Sequence, residues 1–136
     1  MTNEELLWQE CNKIGRFLIY PGIYRHFKQT KDGEDMIYSV SSFSVPSTKE
    51  FLTFLINNND PELLLFNHTE LEKTIEIFRI NNKYFHNEDV ESEILPIYTA
   101  MYGNRETYVR PLSMFLSKTD KEKYPDVKQK YRLELI

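Results

Sequence analysis

The chain has 136 residues, 40% hydrophobic and 14% aromatic, with only four glycines and six prolines; this bounds it to one domain with one core and excludes a low-complexity or disordered chain. A net charge of −4 and a pI near 5.4 weigh against a nucleic-acid partner, which demands a basic footprint to neutralise phosphates. The lone Cys11 excludes an internal disulfide and a multi-thiolate zinc site, and no apolar run approaches the roughly 18 residues of a membrane span. With Glu4 and Glu5 opening the chain instead of a signal peptide, a cytoplasmic location without a membrane partner is the expectation.

Thr2 and Glu5 have the spacing of a capping box, and Leu7, Cys11 and Ile14, with Leu18 beyond, recur at helical spacing before Gly15 offers a left-handed stop. A helix over 3–14 is expected, with Cys11 a buried packing thiol. Pro21-Gly22 signals a turn. Ile23–Lys28 and Asp35–Phe43 then read as a hairpin around Asp32-Gly33, with Met36, Tyr38 and Val40 on one face.

Pro46 closes that unit in this reading, and Ser47 with Glu50 forms a second capping box for a short amphipathic helix carrying Phe51, Leu52, Phe54 and Leu55. Leu63–Phe66 fits a helical turn or a buried strand equally well, because periodicity does not separate the two in so short a run. Thr74–Ile80 is similarly two-sided, but Asn81-Asn82 has the chemistry of a two-residue hairpin turn, so a hairpin with Lys83–His86 is expected. His86 should end that strand exposed, and Glu88–Glu93 should be a solvated loop. Between Glu50 and Glu93 there are ten acidic and three basic residues, so this segment carries −7 and the remainder +3. A weakly basic body carries an acidic middle.

Ile94–Tyr102 resumes a strand, where Pro96 implies an edge position or a strand start. Thr107–Arg110 is another strand ended by Pro111, Leu112–Phe115 a helical turn, and Asp120–Pro125 a charged loop. Tyr131, Leu133 and Leu135 alternate as a last strand that should seal the sheet.

Three blocks carry a resemblance. Pro21-Gly22-Ile23-Tyr24-Arg25-His26-Phe27-Lys28 opens it, His68-Thr69-Glu70 stands in the middle, and Ile97–Gly103 leads into Tyr108-Val109-Arg110-Pro111-Leu112-Ser113-Met114-Phe115. In order and residue type these resemble a small bacterial family labelled as a domain of unknown function, DUF1653. Gln29 departs from the family's usual glycine, and Tyr108 stands where Trp is frequent. The resemblance implies a mainly β fold with some α, a small SH3-like barrel or roll made of 19–45 and 94–136. An N-terminal helix (1–18) and a 46–93 insertion, of which 63–70 could join the core, would be added to it. It brings no assigned activity.

Tyr24-Arg25-His26-Phe27-Lys28 is the most suggestive cluster. Along a strand Tyr24, His26 and Lys28 point one way, Arg25 and Phe27 the other. Arg25 could supply a planar fork to an anion and His26 a tunable donor; the competing reading pairs Arg25 with a carboxylate and His26 with a backbone carbonyl. Arg110, held extended by Pro111 and adjacent to Tyr108, suits carboxylate or phosphate recognition, or else ties a loop to the barrel. His68, Thr69 and Glu70 offer an imidazole, a hydroxyl and a carboxylate. With His26 they could supply two histidines and a carboxylate, but no spacing signature marks a metal site, and a turn capped by Thr69 explains them more simply.

No glycine-flanked serine or glycine-rich phosphate loop is present. No catalytic residue, metal or cofactor is therefore assigned. The expected function is a binding module in which Tyr24, Arg25, His26, His68, Glu70, Tyr102, Tyr108 and Arg110 serve a small anionic ligand or an acidic, carboxylate-bearing peptide. The alternative is a hydrolase or transferase on a nucleotide-like substrate, with His26 and Glu70 as acid and base.

Overall fold

The computed structural model describes residues 1–136. Helix α1 (Asn3–Ile14) begins as its sequence dictates: Thr2 Oγ1 accepts from the Glu5 N–H, the Glu5 carboxylate accepts from the Thr2 N–H, and Gly15 ends the helix at φ 88°. Leu7 and Cys11 are buried and Leu18 follows them, whereas Ile14 stays exposed on the far side of the stripe.

Strands β1 (Gly22–Lys31) and β2 (Glu34–Ser47) form the expected hairpin, both longer than the sequence reading allowed. Met36, Tyr38 and Val40 are buried together. Pro46 does not close the unit. The pairing of β2 with β6 (Leu95–Ala100) shifts register between Val40 and Ser42, and such a bulge bends its strand. Before the shift β2 pairs with β1; after it, Ser44–Ser47 pair with a different strand, β5 (Lys83–Asn87). Helix α2 (Lys49–Asn58) is capped one residue later than expected: Thr48 Oγ1 accepts from the Phe51 N–H, because Ser47 is committed to the end of β2.

Both ambiguous stretches are strands, β3 (Glu62–His68) and β4 (Lys73–Ile80). Asn81 and Asn82 sit at φ 50° and 62°, the paired positive values of a two-residue turn, and lead into β5. Strand β7 (Thr107–Val109), helix α3 (Leu112–Phe115) and strand β8 (Leu133–Leu135) complete the chain. The hydrogen-bonded ring runs β5-β4-β3-β7-β6-β2 and closes through parallel β2–β5 pairing, giving a closed six-stranded barrel; β1 and then β8 extend from β2 outside it. Three of the six ring strands come from the segment read as an insertion, so the 46–93 stretch builds the barrel wall. Pro96 lies inside the sheet rather than at its edge, and is tolerated as the second residue of β6, before pairing with β7 begins at Ile97.

Because side chains alternate, β6 buries both faces, whereas β4 buries Ile75 and Ile77 on one face and exposes Thr74 and Glu76 on the other before Ile80 is buried. Ile75, Ile77, Leu95, Ile97 and Val109 form one core. On the opposite faces Ile80, Tyr98 and Ala100 join a larger core with Leu7, Cys11, Phe43, Phe85 and Phe115. No helix is long and apolar enough to cross a membrane.

Two histidines lock the acidic loop to this frame. His86 is fully buried, not exposed as its sequence position suggested. Its Nε2–H donates to the carbonyls of Glu91 and Glu93, each at 3.0 Å, and its Nδ1 lies 2.7 Å from Ser44 Oγ, which must therefore donate. Glu91 in turn takes His68 Nε2 at 2.8 Å and the Glu93 N–H at 3.1 Å on its carboxylate. The 88–93 loop is thus a latch.

Burial holds the His86 imidazole down to about 4, from an ordinary 6.5. The unfolded chain takes up this proton below pH 6.5 while the folded one resists it, so stability present above that pH is lost as the pH falls toward 4. Unfolding free energy measured in urea should drop by about 2–3 kcal/mol from this group between pH 7 and pH 4.5. Protonation of the native His86 ring near pH 6.5 by NMR would contradict the latch.

Candidate functional site

Three distant pieces of chain converge beside β1. The first is β1 itself. Tyr24 and His26 face inward while Arg25 faces solvent, as alternation requires. Phe27 is also buried, under Tyr124 at 4.8 Å between ring centroids. His26 stacks on Phe27 at 4.5 Å, and its Nδ1 accepts the Lys28 N–H at 3.1 Å. That bond uses the Nδ1 lone pair, so the neutral ring carries its proton on Nε2. Burial, then the charges of Arg110, Arg132 and Lys28, lower the His26 pKa to about 4; the ring is neutral at physiological pH.

The second piece is the β7–α3 junction. Arg110 follows the last residue of β7 and precedes Pro111, and its side chain is only 13% exposed. Nε donates to Thr69 Oγ1 at 3.0 Å and lies 3.7 Å from the Glu70 carboxylate. The tie leaves the two terminal guanidinium nitrogens without a protein partner, though not sealed from solvent. Thr69 therefore positions Arg110, whereas the turn after β3 is capped by His68, whose Nδ1 accepts the Glu70 and Leu71 N–H groups.

The third piece is the segment entering β8. Arg132 is fixed through its backbone, donating to the Ser117 carbonyl and accepting from the Phe27 N–H. Its guanidinium makes no hydrogen bond or ion pair with the protein. Burial first, and then the neighbouring Arg110 charge, lower its pKa.

Together these pieces frame two neighbouring hollows that share His26 and Arg110. An inner hollow of about 70 Å³ is walled by His26, Arg110, Thr69 and the rings of Tyr38, Tyr98 and Tyr108. His26 and Arg110 also border an outer cleft of about 470 Å³, where Lys28, Lys118, Lys123 and Arg132 add their charges and Phe27 and Tyr124 an aromatic side. Five cations meet a single lining carboxylate, Asp120. Tyr108 donates to Glu106 at 3.2 Å, and burial with this bond pushes its hydroxyl up to about 12. It stays protonated.

The residues expected from sequence divide accordingly. His26, Tyr108 and Arg110 meet at the cleft, and Glu70 flanks it through Arg110. Tyr102 lies behind, its hydroxyl 2.6 Å from that of Tyr38, on a separate hollow of about 230 Å³. Tyr24 is core: its hydroxyl accepts the Ile19 N–H and donates to the Ile19 carbonyl. Arg25 points away from the cleft on the outer face of β1, and His68 is buried against Glu91. His26 and His68 are not brought together with a third ligating side chain. Sequence reasoning placed Lys28 on the His26 side of its strand without naming it as a site residue, and it missed Lys118, Lys123, Tyr124 and Arg132, for which the one signal was the positive balance outside the acidic middle.

These placements make a stability contrast. Tyr24→Phe strands the Ile19 N–H and should cost about 1–2 kcal/mol, and His68→Ala, which leaves Glu91 and two N–H groups unpaired, about 2–4 kcal/mol. Arg132→Ala should change stability by under about 0.5 kcal/mol, because its side chain binds nothing in the protein. Urea unfolding of the three variants checks the order.

A family model described as "Protein of unknown function (DUF1653)" matches residues 76–134. The match runs from β4 to β8 and takes in Arg110, Lys118, Lys123, Tyr124 and Arg132, while the Tyr24–Lys28 and His68–Glu70 blocks fall outside it. No curated protein and no solved structure matches the chain. Two of the three pieces that frame the cleft therefore lie inside the matched stretch, and it is residues 76–134 that are similar to DUF1653.

Proposed function

We propose that the protein is a binding module that recognises an anionic ligand in the cleft between β1, the β7–α3 junction and the 117–132 segment. The observation that carries this reading is the gathering of five cations there, one of them an unpartnered arginine, in a chain of net charge −4. Like charges held together in a half-buried hollow repel one another, and a bound anion relieves that repulsion. The donors suit the task. Arg110 and Arg132 offer planar forks for paired oxygens, and Lys28, Lys118 and Lys123 add point charges.

The same geometry supports binding over turnover. His26 presents a proton on Nε2 and keeps its lone pair on a backbone N–H, so it serves an anion as a donor. Glu70 lies beside the Arg110 guanidinium, as a carboxylate holding a positive charge in place. A small ligand fits the cleft's size better than a long polyanion, which the acidic remainder of the surface would repel.

Sulfate and inorganic phosphate are suitable probes. Either should raise the melting temperature in a concentration-dependent way, by the equivalent of about 2.7 kcal/mol at a hundredfold excess over Kd, and added sodium chloride should weaken the effect. Arg110→Ala should keep the fold and abolish the shift. A large loss of stability in Arg110→Ala without any anion, with the shift retained, would make Arg110 a structural tie and remove the proposal. Phosphoester turnover by the wild-type protein that vanishes in His26→Ala would replace binding by catalysis.

A further inference from the structure

Resting on the anion-binding reading, we infer that the two hollows together take a phosphoanhydride: one phosphoryl group in the inner hollow at Arg110 and His26, the next in the outer cleft at Arg132 and the lysines. Three observations lead there. The first is division of space. The inner hollow, about 70 Å³, has room for one small oxyanion, and it shares His26 and Arg110 with an outer cleft of about 470 Å³. A ligand that fills both must place two compact anionic groups a short distance apart.

The second is charge. Five lining cations face Asp120, and Glu70 stands beside Arg110, so three positive charges remain uncompensated. A carboxylate neutralises one of them. A phosphoryl group carries about one to two negative charges near neutral pH, and two joined groups match the excess.

The third is the shape of the donor set. A carboxylate is planar, and one guanidinium fork satisfies it. Here Arg110, Arg132 and the His26 Nε2–H arrive from three separate elements: the β7–α3 junction, the entry to β8, and β1. Oxygens spread in three dimensions, as on a tetrahedral phosphorus, use all three where a planar group does not. The hydroxyl-bearing rings of Tyr98 and Tyr108 wall the inner hollow on its far side.

Calorimetric titration with pyrophosphate, inorganic phosphate and citrate, in metal-free buffer at equal ionic strength, tests this. Citrate supplies comparable charge on planar carboxylates. Pyrophosphate should bind about tenfold or more tightly than either of the others. Arg132→Ala should bring pyrophosphate down to the level of phosphate, Arg132→Lys should recover part of the difference, and Arg110→Ala should eliminate binding of both. Circular dichroism melting of each variant separates lost binding from lost folding.

Equal affinity for citrate and pyrophosphate would overturn the phosphoanhydride assignment and leave the anion-binding module standing. An unchanged pyrophosphate preference in Arg132→Ala would overturn the two-part division. No heat with any of the three anions would overturn both the inference and the reading beneath it.

Discussion

Closure of the ring through parallel pairing of β2 with β5 is the constraint on which the rest depends. Fourteen residues of β2 serve two partners in turn, and the bulge between Val40 and Ser42 turns the strand from β1 toward β5. Closure removes the exposed edges that an open sheet of these apolar strands would present. Within the ring β6 lies between β2 and β7, and Arg110 follows the last residue of β7. His86 secures the joint from within, bonding Ser44 on β2 and two carbonyls of the following loop. Its burial is tolerable because every polar atom of its ring has a partner.

Outside the ring, β1 and β8 form a two-strand extension that starts from β2. The cleft lies where this extension meets the ring: Leu133 and His26 come from the extension, Tyr38, Tyr98 and Tyr108 from ring strands, and Arg110 from the end of β7. The ring residues at the cleft sit on regular strands, whereas the 117–132 segment that carries Lys118, Lys123 and Arg132 has little regular structure. On the proposed anion-binding reading, donors carried on regular strands are pre-organised while the lysines of the irregular segment adjust. The electrostatic cost is visible in the lowered pKa values of His26 and Arg132, both driven first by burial and then by neighbouring cations.

How far the fold was legible follows from the range of each interaction. The α1 caps and the Asn81-Asn82 turn were readable, since a capping box spans three residues and a hairpin turn two. Leu63–Phe66 was not, because four apolar residues in a row satisfy helix and strand alike until β4 offers them hydrogen-bonding partners. The α2 cap was misplaced by one residue for a related reason: Ser47 and Thr48 are equivalent caps locally, and pairing of Ser47 with Asn87 decides between them. His86 was misjudged because strand position says nothing of what covers it. Among the residues that line the cleft, His26, Tyr108 and Arg110 stood out through motifs, while Arg132 escaped notice beside the apolar alternation of Tyr131, Leu133 and Leu135.

By itself the sequence determined a mainly β domain with a capped helix at its start, a hairpin at Asn81-Asn82 and an acidic middle set in a basic remainder, all consequences of neighbouring residues or of summed charge. Only the tertiary structure decided that the acidic middle supplies half of the barrel wall, that Tyr24 and His68 belong to the interior, and that Lys28, Arg110 and Arg132 face one another. The reason is distance along the chain. His26 meets Leu133 through the β1–β8 register, more than a hundred residues apart, and no local preference encodes a pairing of that span.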